Sequence, residues 1–371
     1  MTLSMARPDL TEREIELVTR VLRTPVLSGG PMLERFEALV ASYVGAPHAV
    51  GVSSGTAGLH LALVALGIRD GDEVVTSPFS FVASANVILY ERARPVFADI
   101  EPLSLAIDPA AAAAAVTPRT RAILPVHVFG YPADVPAVGT IARRHGLAVV
   151  EDACEALGAS LNGRRVGSGA DAAVFAFYPN KQVTTGEGGM VVTASAEVAD
   201  AVRSLRNQGR GGAGTALLHE RLGYNYRLDE LRSALGLAQM ERVDELLAKR
   251  ARVAGLYGER LQTVPAVTPP PEPPAGVTNR FVYVVRLAPP LHRDRIAERM
   301  AALGVPTRPY FVPIHLQPFY RERFGFRGGE FPVAEAAARS TLALPFHGGM
   351  SEADVDTVAR ALTRAVEQER R

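Results

Sequence analysis

One lysine in this chain stands where a primary amine could act as a nucleophile. In Phe177-Tyr178-Pro179-Asn180-Lys181-Gln182-Val183-Thr184-Thr185-Gly186-Glu187-Gly188-Gly189 it lies between an apolar run at 174–177 and a glycine-rich turn that leads into a second apolar run at 190–192. Both runs read as short buried strands, so Lys181 sits in their connection. An unpaired ammonium is costly to bury, and desolvation favours the neutral amine. A neutral amine forms a Schiff base with an aldehyde. Taken alone, the ordinary alternative is a surface lysine in a β-turn.

Two other stretches narrow the chemistry. Ser53-Ser54-Gly55-Thr56-Ala57-Gly58 places small hydroxyls and a glycine at a strand-to-helix junction, where free N–H groups and the helix dipole favour a single phosphate. It lacks the Walker lysine and the dinucleotide glycine spacing. An N-cap turn with nothing bound is the alternative. In Glu151-Asp152-Ala153-Cys154-Glu155-Ala156, Asp152 follows an apolar strand and emerges at its carboxyl edge, where open α/β sheets place ligands. A carboxylate there can hold a ring nitrogen protonated. The eight histidines show no paired metal-ligand spacing, and no metal is expected. A Schiff-base lysine, a carboxylate for a pyridinium nitrogen and a phosphate-binding helix start together match pyridoxal 5'-phosphate.

The elements that must position these residues alternate between strand and helix. Thr11 and Glu14 form the pattern of a capping box for a helix towards residue 22. Strands are expected at 49–52, 73–76, 95–98, 122–128 and 147–150, with helices at 56–66, 81–91 and 135–144 between them. Asp108-Pro109 followed by six alanines reads as an N-cap, a first-turn proline and a short helix. Such alternation implies a largely parallel sheet covered on both faces. From residue 228 to 261 a single long helical pattern follows, then a proline-rich connector at 265–276. The remainder reads as a compact α+β unit: strands at 281–287 and 305–309, and helices at 293–303, 332–342 and 351–369. We place the boundary inside the long helix, giving domains 1–250 and 251–371.

Composition limits the function classes. The 371 residues are 47% hydrophobic, enough for a large core, and 40 Lys plus Arg balance 39 acids. No basic field exists to recruit nucleic acid or anionic lipid. No apolar run reaches bilayer-spanning length, and the charged first thirty residues lack the apolar centre of a signal peptide. The single cysteine, Cys154, allows no intrachain disulfide and fits a reducing cytoplasm.

The motifs resemble the DegT/DnrJ/EryC1/StrS family of sugar aminotransferases. Gly55-Thr56-Ala57, Glu151-Asp152-Ala153, Tyr178-Pro179-Asn180-Lys181 and Thr185-Gly186-Glu187-Gly188-Gly189 carry the likeness. It extends from Leu27-Ser28-Gly29-Gly30-Pro31 through Leu222-Gly223-Tyr224-Asn225-Tyr226-Arg227 to Pro313-Ile314-His315-Leu316-Gln317-Pro318. The resemblance implies a type I (aspartate aminotransferase-like) α/β fold: a large domain with a mixed, mainly parallel sheet and a smaller α+β C-terminal domain. It implies a homodimer with shared active sites.

Carried over residue by residue, the resemblance makes Lys181 the Schiff-base lysine and Asp152 the partner of the pyridine nitrogen. Gly55, Thr56 and Ala57 form the phosphate cradle, Phe81 stacks on the cofactor ring, and Glu155 lies beside its phenolic oxygen. Asn225 reaches the phosphate from the neighbouring subunit. Ala176 stands where many relatives have a phosphate-binding serine. Tyr178, Glu187, Arg227, Tyr310 and His315 match positions on the substrate side. The implied reaction moves an amino group from an amino acid, L-glutamate foremost, to a ketone at C3 or C4 of a nucleotide-linked deoxysugar, for polysaccharide or antibiotic synthesis. An aminocyclitol aminotransferase remains open beside it, as do a sugar dehydratase and a regulatory relative; the intact Lys181 and Asp152 argue against the last two.

Overall fold

The computed structural model describes residues 3–211 and 217–370. The chain alternates from its start. The capping box expected at Thr11 opens α1 (Glu12–Leu22), followed by α2 (Pro31–Val44), β1 (His48–Val52), α3 (Gly55–Ala65), β2 (Glu73–Thr76), α4 (Ala83–Tyr90) and β3 (Arg94–Phe97). Then come α5 (Pro109–Ala114), β4 (Thr120–Leu124), α6 (Val135–His145), β5 (Ala148–Asp152), β6 (Ser160–Leu161), β7 (Arg164–Arg165), β8 (Ala172–Ala176), β9 (Gly189–Thr193) and α7 (Ala196–Arg206). The last third holds α8 (Glu230–Met240), α9 (Val243–Leu261), β10 (Val267–Thr268), β11 (Gly276–Val277), β12 (Tyr283–Leu287), α10 (Arg293–Ala302), α11 (Pro318–Phe324), α12 (Pro332–Ser340), β13 (Thr341–Leu344) and α13 (Glu352–Arg370).

Seven strands form the central sheet in the order β1-β9-β8-β5-β4-β2-β3. The pairs from β8 to β3 are parallel, and β9 runs against both neighbours. This is the mixed, mainly parallel sheet of the type I aminotransferase fold. Because side chains alternate along a strand, the two faces take different residues. Val50, Val52, Val174 and Val191 enter one apolar cluster with α3 and α7, while Ala49, Phe175, Met190 and Val192 enter another with α1, α2 and α8. Burial on both faces explains why these strands read as continuous apolar runs.

A smaller antiparallel sheet, β10-β12-β13, packs under α9, α10 and α13. The helical pattern expected as one helix over 228–261 is broken at Glu241 and Arg242, where Arg242 has φ −127° and ψ 24°. Its guanidinium bonds Asp9 Oδ1 at 2.9 Å and Glu245 Oε1 at 2.8 Å, holding the corner where the chain leaves the first body. Core membership then changes along α9: Val243 and Leu246 join the large cluster, whereas Val253, Tyr257 and Leu261 join the small one.

Three other expectations are corrected. The run 305–309 forms no strand beyond a bridge from Arg308 to Ala343, and the last residues of the expected helix 332–342 begin β13. Ala334 and Ala337 of α12 enter the large body's cluster, and the helix also touches β12 of the small sheet. The strand expected over 122–128 ends at Leu124 and goes on only as a bridge from Val126 to Asp152, because Pro125 offers no amide for the ladder.

Candidate active site

The connection between β8 and β9 is pinned at its neck. The Phe177 amide donates to Gly188 O and the Thr185 amide to Phe177 O, both at 2.9 Å. Gly186, with φ +77°, makes the turn that a side chain would strain. Lys181 projects from this closed loop with a side chain only 12% exposed. Its Nζ lies 3.6 Å from Glu155 Oε1 and 3.8 Å from the centre of the Phe281 ring. Asn180 beside it has a buried Oδ1 that finds no partner among the described residues.

Glu155 comes from the turn after β5. Its Oε2 accepts the Phe129 amide at 2.8 Å, and Phe129 adopts φ +59°, a left-handed conformation unusual for a bulky residue. Burial pushes the Glu155 carboxyl above its ordinary value; Lys181 and the Phe129 amide oppose the rise. The Cys154 thiol is pushed up by burial and by Asp152, which leaves it protonated and unreactive.

Asp152 ends β5 at the carboxyl edge of the sheet, as expected from the apolar run before it. Each oxygen takes one donor: Oδ2 accepts from Ser84 Oγ at 2.6 Å, and Oδ1 from the Cys154 amide at 3.1 Å. Ser80 Oγ stands 2.8 Å from Ser84 Oγ and extends the chain. The carboxylate is therefore buried, oriented and still has free lone pairs.

The phosphate-cradle residues begin α3. Ser54 caps the helix by accepting the Ala57 amide at 3.0 Å, so that N–H is already used. Among the described residues, no acceptor takes the Gly55 or Thr56 amide. A Cβ at Gly55 would stand 2.7 Å from Ala176 Cβ and 2.8 Å from Cys154 Sγ, which requires glycine here and ties this helix start to the Asp152 turn.

The remaining residues fall into two groups. Phe81 is 61% exposed and Tyr178 51% exposed, unusual for rings without a ligand or partner, and Glu187 is exposed as well. Tyr310 stacks with Phe129, 6.3 Å between centres, and feels the Glu155 charge. Arg227 donates to Asn207 Oδ1 at 2.9 Å. Asn225 is exposed, flanked by Tyr224 and Tyr226 stacked at 5.1 Å. His315 is a correction. It is fully buried, with Nε2 3.1 Å from Glu335 and its ring against Phe331, so it anchors the 313–318 loop and does not face the site.

Sequence reasoning missed Ser84, Phe281 and Asn279, which are brought to the site from distant segments. It also passed over a plain signal: the chain has only two lysines, Lys181 and Lys249, among forty basic residues. Lys249 is engaged by Asp9 at 2.8 Å and Glu245 at 2.7 Å. Arginine supplies nearly all other cationic roles, and arginine cannot form a Schiff base. The donor set fits pyridoxal phosphate: one sequestered amine, an oriented buried carboxylate, a helix start with two free amides, and an uncovered aromatic ring.

Comparison with known proteins agrees. Residues 8–363 match the DegT/DnrJ/EryC1/StrS aminotransferase family. The chain is 41% identical to GDP-perosamine synthase of Caulobacter vibrioides, covering 98% of each chain. S. venezuelae DesV, solved in complex with a ketimine intermediate, superposes with a TM-score of 0.91 at 35% identity, covering 98% of this chain and 99% of that one. DesI, solved in the presence of its TDP-sugar product, gives 0.91 at 34% identity, covering 100% and 94%. The lone sequestered lysine thus sits in a fold and a sequence of known kind: this chain belongs to the DegT/DnrJ/EryC1/StrS family of pyridoxal phosphate-dependent aminotransferases.

Proposed function

We propose that the protein moves an amino group from an amino acid, L-glutamate, to a keto group at C3 or C4 of a nucleotide-linked deoxysugar. The carrying observation is Lys181, one of two lysines, held between Glu155 and Phe281 near the oriented Asp152. The substrate class is supported by the names of two relatives, GDP-perosamine synthase and DesI with its TDP-sugar product.

Bound pyridoxal phosphate supplies an aldehyde that a primary amine captures reversibly and a ring that accepts the electron pair released at the substrate carbon. Lys181 is the residue that would hold that aldehyde. Its Nζ, when free, would be the base that accepts a proton at the donor's α-carbon and returns one at the sugar carbon. Asp152 holds the ring-nitrogen proton, with Ser84 and the Cys154 amide fixing its carboxylate. Glu155, its carboxyl raised by burial, can hold a proton beside the phenolic oxygen and avoid repulsion there. The Gly55 and Thr56 amides and the Thr56 hydroxyl would bind the phosphate, while Ala57, its amide taken by Ser54, shapes the turn. The free face of Phe81 would cover the ring and exclude water.

Tyr178, Glu187, Arg227 and Tyr310 line the substrate side in this reading. Asn225 completes the phosphate site of a second copy, making the protein a homodimer with shared sites. The bodies divide near residue 250 into 1–250 and 251–371. The reaction belongs in the cytoplasm, where nucleotide sugars are made. Among the described residues, no helix is long and apolar enough to cross a membrane.

The test is Lys181→Ala assayed with L-glutamate and a panel of nucleotide-linked 3- and 4-ketosugars. Wild type should aminate at least one sugar, and the variant, folded by circular dichroism, should aminate none. Full turnover by Lys181→Ala without added amine would refute the reading.

A further inference from the structure

Phe281 meets the lysine from the start of the small body, and the segment carrying it is fastened on two sides. Towards the site, Asn279 Nδ2 donates to Glu155 O at 2.9 Å and to Leu157 O at 2.8 Å, and Thr278 Oγ1 donates to Gly130 O at 3.0 Å. A side chain at Gly130 would overlap Asn279 Oδ1, so this approach depends on glycine. Gln182, next to the lysine, also donates to Glu155 O at 3.0 Å.

On the other side stands Arg250 of α9. Its Nε donates to Arg280 O at 3.2 Å and its Nη2 to Phe281 O at 2.8 Å. The residue is 5% exposed, and burial pushes its guanidinium down to about 10, with no carboxylate among the described residues offsetting the loss of water. A buried unpaired guanidinium is expensive. Both of these hydrogen bonds go to the backbone that presents the Phe281 ring.

We propose that Phe281 and Glu155 form a holding niche for the free Lys181 amine, with Arg250 and Asn279 fixing Phe281 as a positioning residue. The ring face attracts the ammonium without demanding a fixed hydrogen-bond direction, while Glu155 Oε1, 3.6 Å away, pairs with it electrostatically. The displaced amine thereby stays at one place between the two half-reactions instead of spreading over its rotamers. The other titratable groups acting on this spot are Asp152 and Cys154, with Tyr310 beyond Glu155. The inference rests on Lys181 being the reacting amine, and its test separates from that of the activity.

The experiment uses the cofactor-free full chain and trace labelling with acetic anhydride, read by mass spectrometry against an added lysine peptide. With two lysines in the chain, each label is assigned without ambiguity. In Phe281→Leu the Lys181 amine should label roughly three- to tenfold faster than wild type, as expected for losing one cation–π contact. Phe281→Trp should stay within about twofold of wild type, since a ring is kept. Arg250→Met and Asn279→Ala should move in the direction of Phe281→Leu. Unchanged labelling in a folded Phe281→Leu, or Phe281→Trp labelling as fast as Phe281→Leu, would overturn the niche. If Phe281→Leu does not fold, the Trp and Asn279→Ala results decide: wild-type labelling in Asn279→Ala refutes. Loss of the niche with Lys181→Ala still inactive leaves the proposed function standing.

Discussion

Ser84 gives the sharpest test of how Asp152 is held. Its hydroxyl donates at 2.6 Å to Asp152 Oδ2, both side chains being buried. A hydrogen bond to a buried charge contributes about 1.5–3 kcal/mol, or roughly ten- to a hundredfold in an equilibrium or rate. Asp152 keeps its other donor, the Cys154 amide at 3.1 Å, so the carboxylate is loosened rather than released. Ser84→Ala should therefore slow the glutamate half-reaction by about tenfold, the lower end of that range. The Michaelis constant for glutamate should hardly change, because the buried Ser84 hydroxyl is committed to Asp152, Ser80 and Phe81 O. Ser84→Thr, which keeps the hydroxyl, should recover most of the rate. Stopped-flow absorbance of the half-reaction with L-glutamate measures all three proteins. An alanine variant as fast as wild type would show that Asp152 does not depend on Ser84.

Glu155→Gln tests the raised carboxyl through stability. The unfolded chain releases this proton near the ordinary value of 4.5, before the native state does, so wild type loses stability relative to the variant as pH rises above that point. Urea melts of the cofactor-free proteins at about pH 4.5, 6 and 7.5 should show the gap widening until the native carboxyl has ionised; a gap that narrows would reverse the assigned direction. Glu230→Gln tests the start of α2, where the Glu230 carboxylate accepts the amides of Gly30 at 3.0 Å, Met32 at 2.9 Å and Leu33 at 3.0 Å. The amide turns one acceptor into a donor facing an N–H, which should cost about 2–3 kcal/mol in a urea melt. A stability loss under about 0.5 kcal/mol would show these contacts to be replaceable by water.

The site was readable in the sequence where the chemistry was local. Lys181 between two apolar runs, Asp152 at the end of a third, and the small residues opening α3 all declare themselves within a dozen positions. The strand and helix alternation gave the sheet for the same reason. What escaped came from long range. Ser84 reaches Asp152 across 68 residues, and Asn279 reaches Glu155 across 124, neither with a neighbouring pattern to mark it. The break before α9 escaped because Arg242 suits a helix by propensity; tertiary ion pairs to Asp9 and Glu14 overrode it. His315 lay in a motif that resemblance placed at the substrate, yet Phe97, Phe326 and Phe331 enclose it.

The reversed strand β9 also dictates an order of events during synthesis. It pairs locally with β8, only one loop away, but its other partner is β1, about 140 residues earlier in the chain. On a ribosome adding about 5–20 residues per second, β1 emerges and waits roughly 7–30 s before its hydrogen-bonding edge can be filled. During that wait Val50 and Val52, flanked by the apolar α3, present an open strand of the kind that recruits other chains. The β1 edge is thus open to misassembly between the translation of residue 52 and that of residue 193, the interval in which a chaperone that shelters emerging strands would act.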